Sequence, residues 1–363
     1  MSDYSRCSKQ NQKRDDLKKP YVSVLLICHE RTRFIVEAVN SVLHQSLDSS
    51  LFEIVVVKKF VDTNIDCFLQ QNGVRVINTI EDFEGAKISI GVNVCRGSVV
   101  CLLEDDDTFV ADKLATIYTY FSRLPDLVLY HNDFNLIDIN GRLLEDQTIT
   151  GKHPVAPLQL TLTQYSDRIL SLNQFMYRLG NASSISVRKD ILVDLDVCLR
   201  DLKQSPDAFL FFSILKINGI VISDVARLTN WRIHFGSMIG KSRMSLEEFK
   251  SHRILSHSQI VHDLDMLSDI LSRRDTEWLF DGFSAMFRLG FVRDHCEQVN
   301  PFAEDIRTLL KALRLFFSFS GRRETASRIC IGLGIVLFPK LAWHFLYTKH
   351  LKFTQMLSSI GDG

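Results

Sequence analysis

The amino-acid sequence predicts an α/β protein. A mostly parallel sheet should occupy residues 21–240, and an all-helical region should follow over 241–363. Three observations predict this. Between Tyr21 and Leu103, strand-like and helix-like patterns alternate as β-α-β-α-β-α-β, the order of a parallel sheet joined by crossover helices. The fourth of those strands, Ser98–Leu103, is small or apolar throughout, which suits a strand covered on both faces. After Gly240 no strand pattern recurs. Residues 1–20 are polar and charged and read as a flexible tail.

Tyr21–Cys28 is the first strand, and His29-Glu30-Arg31-Thr32-Arg33 is the polar loop after it. Residues 34–45 set Phe34, Ala38, Val39, Val42 and Leu43 on one helical side. Phe52–Val57, rich in Val and Ile, is the second strand. Ile65–Gln71 is a short helix with Gly73 just past its end, and Val74–Ile77 is the third strand. Gly85–Cys95 is helical, with Ala86, Ile90 and Val94 four residues apart. Beyond the fourth strand, Asp112–Arg123 is a helix. Leu127–Tyr130 and Asn135–Asp138 read as short strands flanking polar turns, and Ile139–Arg142 resembles a hairpin turn. Residues 145–165, with Pro154 and Pro157, read as irregular. Ala182–Val187 is a short strand. Ser205-Pro206-Asp207 opens a helix running to about Lys216, with proline in the first turn, and Gly219 closes it. Ile220–Ile222 and Leu228–Ile233 are later strands. Helices are then expected at 244–272, 276–290, 303–319 and 324–352.

The fourth strand runs directly into Glu104-Asp105-Asp106-Asp107. Four carboxylates side by side repel one another and call for a positive partner. A divalent cation with oxygen ligands is the simplest one, and the carboxyl end of a parallel strand is where open α/β sheets bind ligands. The bland alternative is a solvated acidic turn. No Gly-x-Gly-x-x-Gly and no phosphate-loop lysine motif occurs, so an ordinary dinucleotide or ATP site is unsupported. Lys+Arg and Asp+Glu are both 43, so the basic excess of a nucleic-acid binder is missing and no such partner is expected. None of the eight cysteines forms a Cys-x-x-Cys pair. They read as reduced, mostly buried thiols in a cytoplasmic protein rather than as zinc ligands. The first 20 residues hold no apolar stretch of a secretory signal, so the sequon Asn181-Ala182-Ser183 reads as chance.

Several segments, in order, resemble glycosyltransferase family 2, the inverting enzymes of GT-A fold, over about residues 21–240. Val22–Leu26 followed by His29-Glu30-Arg31 is similar to the family's first strand and its Tyr-Asn-Arg-type loop. Ser41-Val42-Leu43-His44-Gln45 is similar to its Ser-Ile-Leu-x-Gln. Gly91 and Gly97 stand where the family has glycines before the central strand. Leu103–Asp107 resembles its Leu-Asp-x-Asp-Asp, and Lys113-Leu114 its following Lys-Leu. Trp231-Arg232-Ile233-His234 resembles its late Tyr-Arg-x-His.

The resemblance implies a nucleotide-sugar donor, a hydroxyl acceptor such as a glycan or a lipid-linked one, and a Mg²⁺ or Mn²⁺ ion. It gives Glu104 and Asp106 the two Asp-x-Asp positions, with Asp106 the first metal ligand and His234 completing the shell. The alternative for His234 is a satisfied strand-end histidine. It gives Asp207 the general base that takes the acceptor's proton, though the acid itself also suits a helix N-terminus. Cys28, His29, Glu30, Lys58, Lys87 and Asp105 fall on the nucleotide side, with Arg31 within reach of the diphosphate. One departure stands out. The family commonly has an aspartate for the nucleotide base after the second strand, whereas this chain has Lys58-Lys59, and a lysine cannot accept the base's imide proton. That departure, with Pro206 in place of a family Glu, keeps open a GT-A protein that binds nucleotide-sugar or a partner without turnover. A nucleotidyltransferase shares the layout, but a glycine-rich triphosphate loop is missing. The segment 303–352, with its Arg and Lys flanks and Trp343 and Tyr347, suits either contact with the cytoplasmic face of a membrane or packing against protein.

Overall fold

The structure is a computed structural model that describes residues 19–147, 153–161, 181–204, 206–214, 217–234, 244–270, 344, 346–352 and 354–355. The strands are β1 (Val22–Ile27), β2 (Phe52–Lys58), β3 (Arg75–Asn78), β4 (Val99–Glu104), β5 (Thr108–Phe109), β6 (Leu127–Ile137), β7 (Leu158–Thr161), β8 (Ile185–Arg188) and β9 (Ile220–Arg232). They form one sheet in the order β3-β2-β1-β4-β8-β6-β9-β5, with β7 also on β9. The helices are α1 (Ile35–Leu43), α2 (Thr63–Gln71), α3 (Glu84–Val94), α4 (Lys113–Arg123), α5 (Lys189–Asp194), α6 (Asp196–Asp201), α7 (Pro206–Ile214) and α8 (Leu246–Ile270).

The first four strands are parallel and pair without a register break. Their central residues, Val24–Ile27, Ile54–Val57 and Val99–Leu103, are apolar because both faces of the sheet are covered there. Leu25, Ile27, Val55 and Val57 pack on one face with Ile88 and Val92 of α3. Val24, Leu26, Ile54 and Val56 pack on the other with Val39 of α1 and Leu69 of α2. Each such side chain, fully buried, contributes about 1.5–3 kcal/mol. Gly97 is fixed by close approach: a Cβ there would lie 2.6 Å from the Ser23 backbone nitrogen. In this register Ile27 is level with both Val57 and Glu104. The carboxyl ends of β1, β2 and β4 therefore open onto one edge.

The second half departs from the sequence expectation at β6, β9 and β7, at Ala182–Ser184, a 3-10 turn where strand was expected, and at α5 and α6, which were not expected. Leu127–Ile137 is one strand, not two around a turn. Its polar middle, His131, Asn132 and Asp133, is buried inside the sheet, with register shifts on either side of Asp133. Ile220–Arg232 is likewise one strand. Where β6 advances two residues, from His131 to Asp133, β9 advances four, from Ser223 to Arg227. Asp224 accepts the N–H groups of Val225 and Ala226 in that bulge, so the polar run reads as a break although the strand continues. Leu158–Thr161, inside the stretch expected to be irregular, pairs antiparallel with β9. The turn at 139–142 forms as expected, with the Gly141 N–H on the Asp138 carbonyl and Ile137 bridging Leu143. Helix α8 matches the helix expected at 244–272. The helices expected at 276–290 and 303–319 lie outside the described residues, as does most of 324–352.

Candidate functional site

The acids of the 104–107 turn separate into different environments. The turn closes through the Asp107 N–H on the Glu104 carbonyl. Asp105 takes the Arg31 guanidinium at 2.5 Å and the His29 N–H at 3.0 Å. Asp106 Oδ2 faces Arg31 Nη1 at 2.6 Å and His234 Nε2 at 3.1 Å. Asp107 is fully buried, and its two oxygens accept the Arg232 N–H and the Asn181 side-chain amide, each at 2.9 Å. Glu104 has no hydrogen bond or ion pair to its carboxylate among the described residues. Its N–H donates to Ser183 Oγ at 2.9 Å.

Ligand oxygens of Glu104, Asp106 and Asp107 lie within 4.8 Å of one another. Burial, then Glu84 and Asp107, pushes Glu104 well above the ordinary carboxylate range. Burial, with Asp106 beside it, raises Asp107 to about 7. Burial acts upward on Asp106 too, but the His234 hydrogen bond and the Arg31 charge outweigh it and lower its pKa. This crowded set of hard oxygens fits a Mg²⁺ or Mn²⁺ ion. Asp106 Oδ2 and both Asp107 oxygens already have partners, while Glu104 alone of the three has a carboxylate without one among the described residues. His234 sits beside Asp106, its ring against Phe34 at 5.0 Å, and stands outside the three-carboxylate group.

The motifs that flank the turn act by holding it. Ser41 Oγ accepts the Phe109 N–H at 3.0 Å. Gln45 donates to the Val110 carbonyl and accepts the Leu114 N–H, both at 2.9 Å. Lys113 is wholly buried, with Nζ on the Ser183 carbonyl at 2.5 Å and Thr229 Oγ1 at 2.8 Å. Arg232 is wholly buried as well. Its Nε donates to the Asp106 carbonyl at 2.8 Å, its Nη1 to the carbonyls of Asp138 and Ile139, and its Nη2 meets Glu37 at 2.7 Å.

The nucleotide-side residues divide. His29 and Lys87 come together, Lys87 Nζ lying 3.0 Å from His29 Nδ1. A lysine ammonium has no acceptor, so Nδ1 accepts. Burial, then Lys87 and Arg31, lowers the His29 pKa to about 4. Glu30 stays at the surface, 3.5 Å from Lys59. Cys28 and Lys58 are placed differently from a ligand contact. The Cys28 side chain is fully buried in the core, and burial raises its thiol pKa well above the ordinary range. Lys58 is fully buried with Nζ on the Phe60 carbonyl at 2.6 Å and Asp66 at 2.9 Å. The side chain of Asp105 is committed to Arg31 and the His29 N–H. A cavity of about 470 Å³ opens beside Asp106, lined by Glu30, Arg31, Thr32, Arg33, Phe34, Ile139 and His234.

Asp207 opens α7 and accepts the Ala208 N–H at 2.8 Å. Burial raises its pKa to about 6. It faces an acid that the sequence reading did not single out, Glu84 at the start of α3. Burial and then Asp207 raise Glu84 to about 8. From sequence alone Glu84 is an ordinary helix-start acid. Its neighbours come from β4 and α7, far along the chain, and only the fold brings them together. Gly85 lets the start of α3 pack closely on the end of α6, since a Cβ there would lie 2.4 Å from the Leu199 carbonyl oxygen. Asn181 and Ser183 were also not predicted as site residues. The sequon they belong to is buried under the acid turn, which accounts for its polar character.

The glycosyl transferase family 2 profile matches residues 23–181. Over 138 residues the chain is 27% identical to the uncharacterized glycosyltransferase MJ1057 of Methanocaldococcus jannaschii, covering 36% of this chain and 47% of that protein. The chain thus spans about half the length of the curated relative it matches. Among solved structures, GalNAc-T7 with UDP, GalNAc and Mn²⁺ superposes with a TM-score of 0.51 at 12% identity, over 74% of this chain and 51% of that one. TarS 1-349 of S. aureus in complex with UDP gives 0.48 at 16% identity, over 86% and 90%.

Proposed function

Since the chain carries a glycosyltransferase family 2 domain of GT-A fold over residues 23–181, we propose that it transfers a sugar from a nucleotide-sugar to a hydroxyl acceptor with inversion. The observation that carries this reading is the convergence at one sheet edge of two oppositely used acid sets. Glu104 and Asp106 lie on the Arg31 and His234 side. Glu84 and Asp207, at the starts of α3 and α7, lie close enough for their charges to act on Glu104.

In this reading Glu104 and Asp106 hold the metal, with His234 keeping Asp106 oriented. A bound Mg²⁺ or Mn²⁺ neutralises the leaving diphosphate. Arg31 and the Lys87–His29 pair add positive charge at the same edge. Asp207, buried and raised to about 6, takes the acceptor's proton as the hydroxyl attacks the anomeric carbon. At neutral pH it is ionised and still basic enough for that task. The acceptor is a glycan or a lipid-linked hydroxyl. Among the described residues no helix is long and apolar enough to cross a membrane.

The test is nucleoside diphosphate release from a panel of UDP-, GDP- and dTDP-sugars with Mn²⁺. Slow hydrolysis of one donor is expected, and Asp106→Asn should lower it by about 100-fold or more. Wild-type turnover in that variant would sink the metal assignment. A second reading, donor binding without turnover, draws on Lys58, which turns inward where the family has a base-binding aspartate. Calorimetry separates the two: tight nucleotide-sugar binding with no diphosphate release across the panel favours the second.

A further inference from the structure

Helix α8 reaches back to the segment that leads into α7. Asp263 is 5% exposed, and its carboxylate is divided between two successive backbone groups. Oδ1 accepts the Lys203 N–H at 2.8 Å and Oδ2 the Gln204 N–H at 2.7 Å. The Gln204 side chain is held from the same helix, by Gln259 Oε1 at 2.6 Å and Ser256 Oγ at 3.1 Å. His262 lies 3.2 Å from both Asp263 and Asp201. Lys203 in turn sits over the Phe83 ring at 4.3 Å, directly before Glu84. Two turns of α8, from Ser256 to Asp263, therefore fix residues 203–204, and through Lys203 the start of α3.

We propose that Asp263 is a positioning residue for sugar transfer. By binding the N–H groups of Lys203 and Gln204 it sets where α7 begins, and so where Asp207 stands relative to Glu104. This rests on the reading of Asp207 as the base. The helical region after residue 240 then serves the chemistry and is more than a cover for the sheet. The geometry favours that over simple attachment. Attachment needs only the apolar contact that α8 already makes through Leu267. A buried carboxylate spread over two adjacent N–H groups adds orientation, because displacement of either residue breaks a charge-assisted bond.

The experiment uses the full chain and the panel donor with the fastest diphosphate release. Asp263→Asn turns one accepting oxygen into an amide that faces an N–H. A fall in kcat of about tenfold is expected, with KM for the donor and the calorimetric Kd for Mn²⁺–nucleoside diphosphate unchanged. In an Asp207→Asn background the same change should lower the residual rate no further, because both act on one group. Unchanged kcat in folded Asp263→Asn, or an equal loss of donor affinity, overturns the proposal. So does a further tenfold loss in the Asp207→Asn background. If circular dichroism shows Asp263→Asn unfolded, Gln259→Ala replaces it, with about threefold lower kcat expected and no change counting against the proposal. Wild-type kcat in Asp207→Asn alone removes the base reading itself. An inactive Asp207→Asn beside a fully active Asp263→Asn removes only the positioning role. No turnover with any donor refutes the enzyme reading and this proposal with it.

Discussion

In the parallel half of the sheet, Lys58 at the end of β2 is fully buried, and its ammonium reaches only near neighbours: the Phe60 carbonyl two residues on and Asp66 in α2. In the mixed half, Arg232 at the end of β9 is also fully buried, but its donors reach Asp106, Asp107, Asp138, Ile139 and Glu37. Those five residues lie 93 or more positions away along the chain. The first cation closes a local turn. The second joins the acid turn, the 138–142 turn and α1, and stacks over Phe34 at 4.6 Å. The contrast reflects how each half is built. Apolar layers on both faces shape the parallel half. In the other half, buried polar side chains such as Lys113 and Arg232 fix where the acids stand.

The largest effect should come from breaking the longer-range pin. Arg232→Met keeps the bulk over Phe34 but leaves Glu37 and three carbonyls without their donor. Glu37 is half exposed and can return to water, but each buried carbonyl left without its donor costs about 1–3 kcal/mol, so the thermal midpoint should fall sharply. Diphosphate release per folded molecule should fall as well, because Asp106 loses the bond to its carbonyl. A variant with a wild-type midpoint would mean that Arg232 only fills space.

Legibility follows the same division. The parallel half could be read residue by residue because its strands carry apolar runs, such as Val24–Cys28 and Ile54–Val57, bounded by polar loops. The elements from Tyr21 to Glu104, and helix α4, were therefore placed within a residue or two, whereas β5, which pairs only with the distant β9, was not foreseen. In the other half, Asn132 and Asp133 look like a turn because burying polar residues in mid-strand needs partners the sequence does not display. Those partners, Thr229 for Asn132 and His153 with Arg227 for Asp133, are distant. The acids on which the proposed site rests stand together in the sequence, at Glu104–Asp107, and the fold brings His234 beside Asp106. The candidate site was illegible where a lone residue gains its role from the fold. Glu84 carries no local signal, and neither does Asp263. Lys58 was misleading in the opposite direction, since a lysine at a strand's carboxyl end suggests a ligand contact until its burial is seen.

A moderate effect should appear in pH dependence, which probes the meeting of the halves. Carboxylates of the unfolded chain titrate near about 4. In the folded protein Asp207 is raised to about 6 and Glu84 to about 8, both by burial first. Asp105 and Asp107 are raised to about 6 and about 7. The folded state therefore binds more protons than the unfolded one above about pH 4, and stability falls as pH rises toward 7. His29, held at about 4, acts in the opposite sense over the same window but is outnumbered. Lys113, lowered to about 7 by burial, opposes the trend only above that pH. In EDTA the midpoint should drop between pH 5 and pH 7 by several degrees, at about 2–4 °C per kcal/mol for a chain of this size. Mn²⁺ at pH 7 should recover part of the loss by binding the folded state. A midpoint that rises across the window would contradict the burial of these acids.

The smallest effect should come from Lys58→Met. Replacing a buried ion by a side chain of similar volume is often neutral or stabilising when its partner can return to water. Asp66 is 35% exposed at its side chain, so its carboxylate stays hydrated through its other oxygen once Lys58 is gone, although Oδ1, which faces Lys58, is buried. The Phe60 carbonyl loses one donor and lies in a surface loop. A midpoint within about 1 kcal/mol of wild type is expected, together with an unchanged calorimetric Kd for the preferred nucleotide-sugar. This separates the two buried cations cleanly. If Lys58→Met instead weakens donor binding tenfold while the fold holds, the ammonium leaves Asp66 when donor arrives, and the parallel half supplies a binding group that its resting geometry conceals.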